Sequence, residues 1–394
     1  MTLIQGEDLE LEKQLQILNK PSLKTIISVY GDLYDCVDFY KQPAFDHPLL
    51  KNHTFQPQMK PTYEKMRNNS SSSTSGHLFK IFKEGGCPVG TVPIRRTTKA
   101  DLIRQKQHSS KFGSKEQQAP FIAVVRTNSG GPFSGAGAFV TIHKPKVDGG
   151  QYSAVRLRVE NDVDAIQIGW RVDPELYGDD QVRLYTYFKA GEISCFNTKC
   201  PGFIIVNTDI PLDYVFPNYY EGEGDQDVEI SLFLARDLVN GNWWLELGND
   251  DMQIGFWPSS IFTGLQNSAT YIDWGGEVSS DNVPMGLGTY ALQDSSKTAI
   301  CRQIRVLTPD ANYTSDAVGL TEPYCNFVSD VKNNKGEAYD AFDHGHKIYD
   351  HNVFGSNFGG VPFPKKRGYS VLDIGDDGDF YGHCAYYGGP NPTY

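Results

Sequence analysis

"NDVDAIQIGWRVDPELYGD", residues 161–179, alternates residue types from Ala165 to Val172 and then stops at Asp173-Pro174. A period of two is the mark of an extended strand. If 165–171 is extended, Ala165, Gln167, Gly169 and Arg171 point one way and Ile166, Ile168 and Trp170 the other. The stretch reads as a strand with one apolar face, and it sets an uncharged amide, Gln167, on the opposite face.

The pattern repeats on either side. "FIAVVRT", "GAGAFVTIHKP", "YSAVRLRVEN", "VRLYTYFKAG", "GFIIVN", "DVEISLFLARD", "GNWWLELGN", "MQIGFWP" and "ATYIDWGGEV" are short runs separated by turn signals. With 39 Gly, 22 Tyr and 22 Phe, this predicts a mainly β chain, an antiparallel β-sandwich of two sheets, with a closed barrel as the other architecture. In "YIDWGGEV", residues 271–278, Tyr271, Asp273, Gly275 and Glu277 share one face and Ile272, Trp274 and Val278 the other. Gly169 beside Gln167 and Gly275 beside Glu277 leave room for a substrate backbone, the shape of a cleft floor or of an ordinary solvated sheet. Asp273 lies four residues from Glu277, roughly 13 Å along a strand at about 3.3 Å per residue, too far to share a proton.

The N-terminal part reads differently. Leu11, Leu15 and Leu18 predict an amphipathic helix ended before Pro21, and "LKTIISVYGDLYDCVDFYKQPAFDH" a hairpin turning at Gly31-Asp32. "MRNNSSSSTSG", residues 66–76, has nothing to bury. The polar run "RQKQHSSKFGSKEQQAP", residues 104–120, marks a boundary, giving a smaller α+β domain over 1–115 and the sandwich over 116–394, with an unassigned extension from about residue 330.

A formal charge of −12 argues against a nucleic-acid groove and against binding to an anionic membrane, and no apolar stretch approaches the roughly 20 residues of a bilayer span. The chain is expected to be a monomer without a cofactor. Seven cysteines, without zinc spacing, read as disulfides: Cys36 with Cys87, Cys195 with Cys200 in a tight loop, and Cys301 with Cys325, leaving Cys384 over. Sequons at Asn52, Asn68, Asn69 and Asn312 agree with an oxidising compartment, although "MTLIQGEDLELEKQLQIL" lacks the basic and apolar regions of a secretion signal. His344, His346 and His351 with Asp343 and Asp350 could chelate, but a Gly-rich charged tail reads more simply as an exposed loop, so no metal site is assigned.

Longer motifs carry a resemblance. "CVDFYKQPAFDHPLLKNH" (36–53) with "CPVGTVPIRRT" (87–97) resembles the activation-peptide domain of the neprosin family of plant glutamic peptidases. "AIQIGWRVDPELYGD", "CFNTKCPGF", "NWWL", "GFWPSSIF" and "IDWGGEV" resemble that family's catalytic domain. The resemblance implies a secreted zymogen whose own propeptide, residues 1 to about 115, covers the cleft. It further implies a β-sandwich like that of eqolisin peptidases and acid-active cleavage next to proline. It also implies two catalytic glutamates, in the "IxxGW" strand and in "WGGE"; carried over, the second falls on Glu277 and the first on Gln167. Eqolisins work with one Glu and one Gln, so the pair implies Glu277 as general base then acid and Gln167 as oxyanion donor. A catalytically silent extracellular binding module is the alternative. Trp170, Tyr187, Tyr271, Asp273 and Trp274 are expected to bind substrate.

Overall fold

The computed structural model describes residues 2–63, 81–82, 85–104, 119–128, 130–216, 228–248, 252–289, 291, 298–309, 313–314, 321–325, 359–360, 369–376 and 383–390. Helix α1 (Thr2–Leu18) precedes a three-stranded antiparallel sheet, β1 (Ser22–Ile27), β2 (Leu33–Asp38) and β3 (Thr91–Arg95), in that order. The β1–β2 hairpin turns where the sequence predicts. Gly31 takes φ +90°, a left-handed conformation that costs a residue without Cβ little.

Two larger antiparallel sheets form the sandwich, so the barrel alternative is set aside. The seven-stranded sheet runs β17 (Thr321–Cys325), β4 (Phe121–Thr127), β14 (Tyr271–Val278), β6 (Ser153–Asn161), β7 (Asp164–Val172), β8 (Arg183–Ala190), β9 (Ile193–Phe196). The ten-stranded sheet runs β10 (Ile204–Ile205), β13 (Met252–Trp257), β12 (Trp243–Leu247), β11 (Glu229–Arg236), β5 (Gly135–Thr141), β15 (Ala299–Leu307), β20 (His383–Gly388), β19 (Ser370–Asp376), β18 (Gly359–Gly360). In it, β16 (Tyr313–Thr314) pairs with β15 alone. The stretch beyond residue 330, without a role in the sequence, thus supplies strands to the larger sheet.

The core lies between the sheets. Ile166, Ile168 and Trp170 of β7 and Ile272, Trp274 and Val278 of β14 are fully buried there, as strand parity requires. The Trp170 indole N–H donates to the Thr141 carbonyl of β5 at 2.8 Å, tying one sheet to the other. Burying one such ring removes roughly 150–250 Å² at about 25 cal/mol/Å², a stabilisation of several kcal/mol. This corrects the expectation that Trp170 and Trp274 bind substrate: both are walled into the core on the face away from Gln167 and Glu277.

Cysteine pairing is partly as expected. Cys36–Cys87 and Cys195–Cys200 are bonded, but Cys301 is a free, buried thiol, so it does not pair with Cys325. The reason is topological, since Cys301 sits on β15 of the ten-stranded sheet opposite Val140, and Cys325 on β17 of the other sheet opposite Ala123.

The N-terminal sheet is clamped along one side of the sandwich. Gln42 mimics a strand against the sheet edge at β10, accepting from Ile205 N at 2.8 Å and donating to Ile205 O at 3.3 Å. Thr62 gives its backbone N–H and its hydroxyl to the Asp237 carboxylate at 2.8 and 2.5 Å, while Tyr63 donates to Glu246 at 3.1 Å. These two carboxylates lie in the turn after β11 and on β12.

Candidate active site

The polar face of β7 is neither solvated nor apolar. All nine of its residues are buried, although Gln167 and Arg171 face away from the core. Long side chains from neighbouring strands close over them. Strand β6 lies between β7 and β14, and its residues facing the site are Ala154, Arg156, Arg158 and Glu160.

Across β6, the Gln167 amide Nε2 donates to Glu277 Oε2 at 3.2 Å. Gln167 and Glu277 are 3% and 6% exposed, so this is a buried contact. The same Nε2 donates to the Tyr185 hydroxyl at 2.6 Å, and Gln167 Oε1 accepts from Arg158 Nη1 at 3.0 Å. Glu277 Oε1 accepts from the Tyr152 hydroxyl at 2.9 Å, and Oε2 from Arg156 Nη1 at 2.8 Å. Arg171 Nη1 stands 3.8 Å from Oε1, its guanidinium 3.4 Å over the Tyr152 ring and its Nε bonded to Asp173 at 2.8 Å.

Arg156 explains how Asp273 belongs to the site without sharing a proton with Glu277. Its Nε and Nη2 grip the Asp273 carboxylate from both sides while Nη1 holds Glu277. Asp273 is fully buried and ion-paired, so its expected contact with substrate is replaced by a contact with Arg156. The Tyr271 hydroxyl donates to Asp273 at 2.9 Å, and Tyr187 stands in register with Gln167 on β8, 5.1 Å from the Phe196 ring. Of the five residues expected to bind substrate, only Tyr187 and Tyr271 are partly accessible on the site face.

Burial pushes the Glu277 carboxyl up, but Arg156, Arg171 and the Tyr152 hydroxyl outweigh it and hold the group below the usual carboxylate range. For Asp273 burial wins, and its carboxyl lies above that range in spite of Arg156. Burial and the neighbouring Glu277 charge push the Tyr152 hydroxyl far up, so it stays a donor.

Gly169 and Gly275 are adjacent to the pair for a reason other than room for substrate. A Cβ at Gly169 would run into the Val155 carbonyl of β6, and one at Gly275 into the Ala123 carbonyl of β4. Close strand approach, at φ +159° and +147°, is what excludes a side chain there.

Sequence reasoning missed Arg156, Arg158 and Tyr152, and put Arg171 on the Gln167 face without giving it a role. The alternation "AVRLRVE" shows two arginines on one face of β6, but only the strand order reveals that β6 separates Gln167 from Glu277. The tail histidines 344, 346 and 351 lie outside the described residues, and among the described residues no His, Cys, Asp and Glu cluster could hold a metal.

A β-sandwich carrying a buried acid–amide pair on one sheet face defines the class. The chain belongs to the Neprosin family, whose model matches residues 149–390, and residues 25–132 match the Neprosin activation peptide. Among solved structures it is similar to scytalido-glutamic peptidase with a transition state analog inhibitor, at 10% identity and a TM-score of 0.29 over 50% of this chain and 84% of that one. It is also similar to SCP-B, a member of the Eqolisin family of peptidases, in complex with the tripeptide Ala-Ile-His, at 10% identity and a TM-score of 0.30 over 50% and 83%.

Proposed function

We propose that this chain is the secreted zymogen of an acid-active glutamic endopeptidase that cuts next to proline, with Glu277 and Gln167 as its reacting pair. The observation that carries the reading is the 3.2 Å contact between the Gln167 amide and the Glu277 carboxylate across β6.

The chemistry follows from donor counting. An ionised carboxylate offers about four acceptor sites, and Tyr152, Arg156 and Gln167 fill three, leaving one for a water. Glu277 takes a proton from that water as its oxygen attacks the peptide carbonyl carbon. Neutralising Glu277 weakens its hold on the Gln167 N–H, which turns to the oxyanion that forms in the same step. Glu277 then returns the proton to the amide nitrogen, the C–N bond breaks, and an amine and a carboxylic acid leave. A depressed pKa makes Glu277 a weaker base, yet it keeps the group ionised in acid and makes its protonated form a stronger acid.

Activation rests on the N-terminal unit as a removable inhibitory segment. Among the described residues its bonds fall on the Tyr177 carbonyl, on Arg183 at the start of β8, on residues 205–213 and on Asp237 and Glu246 on the side of the ten-stranded sheet, and none reaches Gln167 or Glu277. Residues 105–118 lie outside the described residues.

One observation favours a second reading, a silent extracellular binding module. Glu277 is locked into a charge network with Arg156, Asp273, Arg171 and Asp173, as a structural anion would be. Acid incubation followed by intact-mass analysis and a proline-peptide assay separates the two. Loss of the N-terminal segment with turnover supports the peptidase; an intact, inert chain across the acid range supports the binding module.

A further inference from the structure

Strand β6 sends one guanidinium to each member of the pair: Arg156 to Glu277 and, two residues on, Arg158 to Gln167. Arg156 has a counter-ion to hold. Arg158, ion-paired to Glu160, also touches an uncharged amide, and what it does there follows from what each group can donate. A guanidinium only donates and an ionised carboxylate only accepts, so the Gln167 oxygen must face Arg158 and its nitrogen must face Glu277. The Tyr185 hydroxyl takes the second N–H at 2.6 Å.

We propose that Arg158 is the positioning residue that fixes which end of the Gln167 amide faces Glu277. The proposal rests on the peptidase reading for its effect on turnover, but not for the orientation itself. While Glu277 is ionised it also holds the nitrogen toward itself, but once it has taken its proton it can donate as well as accept; without Arg158 the amide is then free to turn over, and an oxygen facing Glu277 cannot stabilise an oxyanion. Three facts make Arg158 suited to the task. It is the direct register partner of Gln167 on β6. Its guanidinium is itself fixed by Glu160, on the same face two residues along. Its side chain is 20% exposed, at the open side of the site, whereas Arg156 is enclosed.

The test is hydrogen exchange of the Gln167 side-chain NH2, followed by NMR in the intact chain and assigned by loss of the signal in Gln167→Glu. In the wild type the two protons, bonded to Tyr185 and Glu277, are expected to exchange slowly. Arg158→Met, which keeps the aliphatic stem, is expected to speed that exchange at least about tenfold; Arg158→Lys, which keeps a donor, is expected to preserve protection. Where turnover is measurable, Arg158→Met lowers kcat by part of the about 10²–10³-fold that one oxyanion donor supplies, with KM unchanged, and Arg158→Lys restores it. Unchanged NH2 exchange in Arg158→Met overturns the proposal whatever the turnover. Faster exchange in a chain that never cleaves peptide upholds the orientation role and removes the peptidase reading instead.

Discussion

Arg183 of β8 and Asp32 of the N-terminal hairpin meet at two points, Nη1 to Oδ2 at 3.0 Å and Nη2 to Oδ1 at 3.1 Å, with their side chains 2% and 8% exposed. Arg183 also bonds Asp179 and the Asp213 carbonyl, and Arg95 joins Asp32 from β3. The pair is the most buried charge contact between the N-terminal sheet and the sandwich among those described above.

Removing one partner of such a pair strands the other. Asp32→Ala is expected to cost about 3 kcal/mol, the low end for a broken buried ion pair, because Arg183 keeps Asp179. Urea denaturation of the full chain measures it; a change below about 1 kcal/mol would mean the pair behaves like an exposed one.

Glu277→Gln is expected to lower hydrolysis by about 10²–10⁴-fold, the share of a general acid–base group, with the fold intact by circular dichroism. Gln167→Glu is expected to raise the rate and to move the acid limb of the pH profile upward, since a second carboxylate beside Glu277 raises the pKa of one of them. Full activity in Glu277→Gln would falsify its role as base.

Tyr152→Phe removes a hydrogen bond that helps hold the Glu277 carboxyl low. The acid limb of activity should rise, with turnover falling at the acid end while the neutral side is little changed. The same shift has a stability counterpart. A carboxyl depressed by folding contributes stability that is fully present above its unfolded pKa and lost as pH falls through the folded value, so Tyr152→Phe should also reduce stability at neutral pH. Thermal midpoints across pH report both.

Asp213 works in the opposite direction. Burial raises its carboxyl above the usual range, with Arg95, Arg183 and Lys199 only partly offsetting the effect. The folded state therefore binds this proton more tightly than the unfolded chain, and its contribution to stability falls as pH rises from the unfolded pKa through the folded one. Asp213→Asn, which still accepts from Asn197, is expected to raise the denaturation midpoint at neutral pH and leave it unchanged in strong acid. A lower neutral midpoint would show that the charge is compensated.

The sandwich and the faces of β7 and β14 were legible because each follows from a period of two along single strands, whereas the pairing of Gln167 with Glu277 came from the resemblance to the neprosin family's motifs. Distances between strands were not legible. Nothing in "SAVRLRVEN" tells that it lies between "DAIQIGWRV" and "YIDWGGEV", so the arginines that set the charge state of Glu277 stayed hidden. Trp170 and Trp274 were misassigned because aromatic type was weighed above parity, which already put them on the core side. The expected Cys301–Cys325 bond fails because pairing depends on which sheet each strand joins, which three cysteines in a row of sequence do not show. The long polar and Gly-rich stretch after residue 330 concealed β19 and β20, whose apolar runs are short.

The place of β20, between β15 and β19, has a temporal consequence. Strand β15 pairs with β5 on one side, Cys301 opposite Val140, and on the other with β20, Cys301 opposite Ala385. While the chain is being made, β15 is finished long before β20 exists, and its Ala299–Cys301 end must wait with the backbone N–H and C=O groups on that side unpaired. Such an edge is a template for pairing with other chains, and long-range closure of this kind is slow. Maturation of the sandwich is therefore a race between arrival of residues 383–388 and aggregation of the nascent chain, and deletion of that strand is expected to yield insoluble protein even though neither member of the Gln167–Glu277 pair is touched.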